Sequence, residues 1–457
     1  MSLNHSLESA PPPDSPKVLL ADTNRWTLSA RLAIALTQAG CSVSAVCATP
    51  GHALLKTRAV KAVFHYSGFR PLESLTAAIA AVEPDVVIPC CDRSVRHLHE
   101  LHGKPPTGSA LAELIERSLG SPASYPVVAS RYQLLELARE EGVRVPRTER
   151  IQHPGQLAFR QNAESFPCVL KADGTWGGGG IRIVHHADEM SPALGQLAQT
   201  FRLRRALKRL VVNRDSFWLR PWWNQRAHEV ITQSYIHGHP ANCAVICWKG
   251  RVLAGIAVEV VNSEGATGPA SIVRVVENTE MMFAAERIAG RLGLSGLFGL
   301  DFMIEEGSKA AYLIEMNPRS TPLCHLRLDS RRDMAGALWA QLTGQPLPDL
   351  PPSIVKDLIA YFPQACNLPS ALLASSYLDI PEGEPELVRE LRRPWLERTP
   401  LFRFFTWLSQ RPSDARSSTS SPEGRGQDES GSIHCPCYGL TENEQAVNSE
   451  AVGRPRA

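Results

Sequence analysis

The sequence predicts a multidomain protein of mixed α/β and α+β class, in which a doubly wound α/β domain precedes a larger domain ending in an acid-bearing β-hairpin. Three observations predict it. Short apolar runs alternate with amphipathic helical stretches over residues 17 to about 120, the pattern of a parallel sheet with helical crossovers. A strand ending in a lysine, a run of glycines and a second strand follow at residues 166–185. Two further apolar runs, 297–304 and 310–316, flank a polar turn containing Gly307 and read as an antiparallel hairpin.

Size and composition bound the rest. A chain of 457 residues can bury the cores of two or three domains. Hydrophobic residues at 43% and charged ones at 21% are ordinary for a globular protein, and a net charge of +2 gives no argument for nucleic acid or an acidic membrane. No apolar run approaches the roughly 20 residues of a membrane span. Residues 1–16 are polar and Pro-rich, without a basic start or an apolar segment, so they are expected to be disordered and the default location is cytoplasmic. Eleven cysteines are too sparse for a disulfide scaffold, and Cys41, Cys47, Cys90 and Cys168 sit in apolar runs as small core residues. Cys435 and Cys437 have the spacing to grip a metal, but no second pair lies near them in sequence.

In chain order, Lys17–Asp22 is an apolar strand, and Leu28, Leu32, Ala35, Leu36 and Ala39 mark a helix that stops at Gly40. A strand at 41–48, a helix at 72–82 and a strand at 85–90 complete the doubly wound pattern. The first turn, Asp22-Thr23-Asn24-Arg25-Trp26, has no glycine to let the backbone approach a pyrophosphate, which argues against a dinucleotide. Asp92 and Arg93 follow the strand where an α/β sheet places ligand contacts, although the stretch itself reads as a surface loop.

The next helix, 130–141, turns Leu134, Leu135 and Ala138 inward and ends at Gly142. Lys171 closes the strand 166–171, and Gly177, Gly178, Gly179 and Gly180 lead into the strand 181–185. Glycines let backbone N–H groups fold over a phosphate, while Lys171 supplies charge; the ending and helix of a P-loop are missing. The basic stretch 199–214 reads as a solvated helix, and Trp218, Trp222 and Trp223 as packing. Strands at 229–236, 244–247 and 252–261 precede a helix at Thr279–Leu292, whose inward stripe is Met282, Ala285, Ile288, Ala289 and Leu292.

The hairpin carries the chemistry. If Ile304 pairs with Ala310, Asp301 lies opposite Leu313, one diagonal step from Glu315. A period of two then puts Asp301, Glu315 and Asn317 on one face and Leu300, Phe302, Ile304, Tyr312, Ile314 and Met316 on the other. Two carboxylates and an amide carbonyl suit a hard cation such as Mg2+. Arg319, just beyond, is placed to hold a planar oxyanion two-pronged. A metal beside such an arginine points to phosphoryl transfer.

Asp301 with Glu315-Met316-Asn317-Pro318-Arg319 resembles the metal-binding end of the ATP-grasp fold, shared by carboxylate–amine ligases, biotin carboxylase and carbamoyl-phosphate synthase; the resemblance covers roughly residues 17–345. It implies a Rossmann-like pre-ATP-grasp domain at 17–120, an ATP-grasp domain at 121–345 with a glycine-loop lid at about 147–232, and an extension at 346–412. Residues 413–457, rich in Ser, Gly, Glu and Pro, are expected to be disordered. The resemblance also implies roles. Arg131 stands where the family has a lysine touching ATP phosphate, and Ala172 follows Lys171 where proline is usual. Gln233 replaces a common glutamate at the adenine, with the backbone of Tyr235 and Ile236 reading its edge; His239 and Asn242 are ribose candidates. Arg274 is the cation expected to steady the transferred phosphate, and Asp301, Glu315 and Asn317 the ligands of Mg2+, with Mn2+ as a substitute.

The implied activity is that of an ATP-dependent ligase: a carboxylate is activated as an acyl phosphate and attacked by an amine or similar nucleophile, with ADP and phosphate released. Ammonia or a bicarbonate-derived group stays open as a partner in that reaction. The substrates would be a small-molecule carboxylate and amine, without nucleic acid or membrane, and a homodimer is allowed. The rival is a non-catalytic ATP-binding or scaffold protein on the same fold, motivated by the departures at Arg131 and Gln233.

Overall fold

The computed structural model describes residues 15–24, 28–48, 51–104, 108–151, 166–173, 180–200, 229–263, 268–347, 354 and 356–393. Its first sheet holds β1 (Lys17–Asp22), β2 (Ser42–Cys47), β3 (Ala62–His65) and β4 (Val86–Pro89) in the order β3-β2-β1-β4, all parallel. Val18, Leu19, Leu20 and Ala21 are all fully buried, which is why β1 reads as a continuous apolar run: both faces of a parallel sheet are covered by helices. Asp92 and Arg93 are not on a surface loop. They open the helix Asp92–His102, and Arg93 is only 6% exposed.

The second sheet is antiparallel: β5 (Thr148–Ile151), β6 (Cys168–Ala172), β7 (Ile181–Val184) and β8 (Val230–Ser234) in the order β5-β8-β6-β7. Met190, Ala193 and Leu197 of the helix Met190–Thr200 pack with Leu170 and Val184 into its own small core. Gly177, Gly178 and Gly179, the basic stretch, the three tryptophans and the Cys435/Cys437 pair lie outside the described residues.

The third sheet contains β9 (Gly238–Trp248), β10 (Arg251–Ser263), β11 (Ala270–Val276), β12 (Gly296–Glu305), β13 (Ala311–Asn317), β14 (Leu358–Tyr361) and β15 (Tyr377–Asp379), ordered β13-β12-β9-β10-β11-β14-β15. Lys249 and Gly250, with φ of 48° and 84°, make the two-residue connection from β9 to β10; successive left-handed residues match the twist of a tight hairpin. The described part of the expected C-terminal extension supplies the edge, because Ile272 and Val273 of β11 pair with Ala360 and Ile359 of β14.

One face of this sheet shares a core with the first domain, where Leu20 and Val43 join Ile256, Val258, Met334 and Leu338. The other face packs Leu134 and Leu135 of the helix Arg131–Glu140 and Ala285 and Ile288 of the helix Thr279–Leu292 against Phe298, Phe302 and Leu313. In the latter helix Met281, not Met282, is the buried methionine: Met281, Ala284, Ala285, Ile288, Ala289 and Leu292 continue one stripe at spacings of three and four.

The hairpin register differs from the expected one. Ile304 pairs with Ala311 rather than Ala310, and a bulge follows: Phe302 pairs with Leu313 and Asp301 with Glu315, so Ile314 is left over in β13. Inserting one residue exchanges the faces on either side of it. Ala311 and Leu313 therefore enter the core together with Met316, while Tyr312 and Ile314, expected there, are half-buried.

Candidate active site

Asp301 is held from two strands. Asn242 of β9, its direct partner across the sheet, donates Nδ2 to Asp301 Oδ1 at 2.6 Å, and Asn317 donates Nδ2 to Oδ2 at 2.9 Å. Asn242, a ribose candidate from the sequence, here supports the acid. His239 lies an odd number of residues away, so it points to the other face, with Nε2 3.5 Å from Glu259. Burial above all, then the charge of Glu315, pushes the Asp301 carboxyl up to about 6, against the two amides and Arg319.

Glu315, opposite Asp301, accepts Arg131 Nη2 at 2.6 Å. Ser130 caps the helix through its side chain and Arg131 is the first helical residue, which aims its guanidinium across the cleft. Arg131 Nη1 also donates to Ala172 O at 2.8 Å and lies 3.4 Å from Asp173 Oδ1. One side chain thus joins a core helix, the end of lid strand β6 and the acidic hairpin. Beside it Lys171, 3% exposed, donates Nζ at 3.1 Å to the carbonyl of Ile314, the residue displaced by the bulge. Burial lowers the Lys171 pKa to about 8, with Glu315 opposing and Arg131 assisting.

Arg319 reaches the first domain: its Nε donates to Asp92 Oδ2 at 3.0 Å, while Nη2 donates to Asn317 Oδ1 at 3.0 Å and Nη1 to Ser320 O at 3.1 Å. The Asn317 amide therefore bridges Asp301 and Arg319. Ser320 N donates to Pro89 O at 3.1 Å, fastening this loop to the end of β4.

Other expected residues lie elsewhere. Arg274 pairs across β10 with Glu259, which pairs with Ala241 and so with Phe302; that row faces away from Asp301 and Asn242, and Arg274 is exposed, outside the cluster. Gln233 is 2% exposed within the lid sheet, its Nε2 3.4 Å from Thr148 Oγ1. Tyr235 and Ile236 are half-buried just beyond β8, and Tyr235 N donates to Pro167 O at 3.3 Å. Gly180 O accepts Ala172 N at 3.0 Å at the foot of the glycine loop. Asp92 joins the site although its stretch reads as a loop; the signal available was its position directly after a parallel strand.

The described residues contain no group of three or more His, Cys, Asp and Glu side chains that could hold a metal. What converges is two facing carboxylates, with the Asn317 amide turning its Nδ2 to Asp301 and its oxygen to Arg319; burial above all, and then repulsion from Glu315, raises the Asp301 carboxyl. Such a set fits Mg2+, whose charge relieves that repulsion. Among the described residues no helix is long and apolar enough to cross a membrane.

A parallel-sheet domain, a small antiparallel sheet and a large sheet whose acid-bearing hairpin meets Arg131 at Glu315 and Lys171 at the Ile314 carbonyl make up an ATP-grasp fold. Residues 216–322 match the ATP-grasp domain family. Similar solved structures include N5-carboxyaminoimidazole synthase from Aspergillus clavatus in complex with ADP and 5-aminoimidazole ribonucleotide, at 16% identity and a TM-score of 0.52, covering 73% of this chain and 78% of that one. N5-carboxyaminoimidazole ribonucleotide synthetase from Thermus thermophilus aligns at 14% identity and a TM-score of 0.52, over 73% of this chain and 81% of that one. L-amino acid ligase from Bacillus licheniformis aligns at 14% identity and 0.51, over 74% and 77%. No curated protein matches the chain by sequence.

Proposed function

We propose that the protein is an ATP-dependent ligase that activates a carboxylate as an acyl phosphate and passes the acyl group to an amine or similar nucleophile, releasing ADP and phosphate. The observation that carries this reading is the convergence of two cations on the acidic hairpin, Arg131 bonded to Glu315 and Lys171 bonded to the neighbouring Ile314 carbonyl, directly beside Asp301. Cations from a helix and a lid strand facing paired acids are what a triphosphate and its metal require. The similar structures support this reading: one is an L-amino acid ligase and others are carboxyaminoimidazole ribonucleotide synthases or synthetases complexed with ATP or ADP.

In this reading Asp301 and Glu315, with Asn317 once its oxygen is released from Arg319, would hold Mg2+, which would supply positive charge to neutralise phosphate oxygens. Arg131 and Lys171 hold phosphate oxygens, and Arg319 stabilises charge on the moving phosphoryl group or the acyl phosphate. Gln233 and the backbone of Tyr235 and Ile236 meet the adenine, and Gly177, Gly178, Gly179 and Gly180 close over the phosphates. Positioning and electrostatics do most of such chemistry, so no dedicated base is required. The test is ADP release from Mg-ATP over a panel of small acids and amines, compared with Glu315→Ala. Turnover in the parent that disappears in the variant supports the ligase. Tight nucleotide binding with no turnover on any panel favours the non-catalytic rival.

A further inference from the structure

Arg274, the cation that the resemblance offers to steady the transferred phosphate, faces away from the acids. The first domain offers another. Asp92 and Arg96 are four apart in the helix Asp92–His102 and so share a face. That face looks at the site, because Asp92 bonds Arg319 at 3.0 Å. Arg96 is half-buried one turn further along, and Arg93, 6% exposed, lies in the same helical turn. The electrostatic neighbours of Arg96 span the cleft: burial lowers its pKa first, Asp92 and the lid residue Asp173 oppose, and Arg131 and Arg93 add to the lowering. Arg96 thus belongs to the same charge cluster as the lid end and the core helix, although it comes from a domain with no residue of the acid pair.

We propose that Arg96, together with Arg319, forms an oxyanion site at the first-domain end of the cleft. Asp92 orients Arg319 from one side of this site. The proposal rests on the nucleotide reading above and adds to it a residue contributed by the first domain. The oxyanion is either the carboxylate of the acid to be activated or the phosphoryl group in transit; both are planar or tetrahedral arrays of oxygens that a guanidinium holds in the same way.

The test uses the full chain and calorimetry. Inorganic phosphate is titrated into protein saturated with Mg-ADP, and succinate into protein saturated with the non-hydrolysable imido analogue of Mg-ATP. Arg96→Gln is expected to weaken at least one of these anions by about tenfold or more, as loss of a charge-assisted contact does, with the Mg-ADP affinity changed less than about twofold. Loss in the phosphate titration assigns the site to the phosphoryl group, and loss in the succinate titration to the substrate carboxylate. Arg96→Lys, which keeps the charge, is expected to restore most of the lost affinity, which a merely structural role does not require. Three results overturn the proposal: neither anion binds the parent, both bind Arg96→Gln unchanged, or Mg-ADP affinity falls in step with anion affinity. If the parent binds no Mg-ADP, the nucleotide reading fails and the proposal fails with it.

Discussion

Asp301 stands directly opposite Glu315 because β13 carries one residue more than β12 across the bulge at Ile314. Like charges facing each other across a strand pair are destabilising. Here Asn242 and Asn317 take up the Asp301 oxygens and Arg131 takes up Glu315. The bulge brings the two carboxylates together and also turns the Ile314 carbonyl to Lys171. Three consequences can be measured here, and a fourth at the interface of the first domain with β15.

The first is a pH dependence of stability. The folded Asp301 carboxyl sits at about 6, above the ordinary 3.8, so between these values the folded state binds the extra proton. Its contribution is full below about pH 4, is lost as pH rises to about 6, and is constant above. Urea unfolding of the metal-free protein at intervals across this window should show the decline in the parent and its absence in Asp301→Asn. Parallel curves for the two proteins would rule out the shifted carboxyl.

Asn242 bonds Asp301, a metal ligand in the proposed function. Removing such an outer partner costs about 10–100-fold in metal affinity or activity. Asn242→Ala should therefore weaken Mn2+ binding in the presence of ADP by that range, read by electron paramagnetic resonance, with an unchanged circular dichroism spectrum. Equal Mn2+ affinity would remove the role.

Arg131 bonds the end of β6, and in the proposed function it also holds phosphate, so the two duties are separable. Lysine keeps the charge but not the fork that spans Glu315 and Ala172 O. Amide exchange in β6 and at Asp173 should accelerate in both Arg131→Lys and Arg131→Ala. Nucleotide affinity should fall about tenfold or more only in Arg131→Ala. If the lysine variant loses nucleotide affinity as fully as the alanine one, the charge is not what matters.

At the edge of the third sheet, Asp379 of β15 pairs with Arg31 of the first domain and, at 2.9 Å, with His325 Nε2 of the loop beyond Arg319. The Arg31 and Asp379 side chains are 10% and 3% exposed. Breaking a buried pair strands the remaining charge, so Asp379→Asn should cost about 3–5 kcal/mol in urea unfolding. Replacing both partners, as Arg31→Met with Asp379→Leu, should recover much of that loss. A cost below about 1 kcal/mol in the single variant would mean that Arg31 finds another partner.

Much of the architecture was legible because it is written in local periods and caps. The alternation of apolar runs with helical stripes marks the parallel domain, and the helix Thr279–Leu292 is bounded by an Asn278 cap and the left-handed Gly293. The residue types of the site, two acids, an Asn-Pro-Arg and a lysine ending a strand before glycines, were legible as well. Their contacts were not. A period of two states which side chains share a face only while the register is regular, and the Ile314 bulge breaks it.

What the sequence by itself determined is the class of fold and the chemical identity of the groups available to it, since both follow from the order and spacing of residues along a strand or helix. The tertiary structure alone decided which groups meet. Arg131 reaches Glu315 across 184 positions and Arg319 reaches Asp92 across 227, while Arg274, much nearer in the chain to Asp301, faces away. Such pairings depend on how a sheet is registered and how two domains share a core, and no local pattern encodes either.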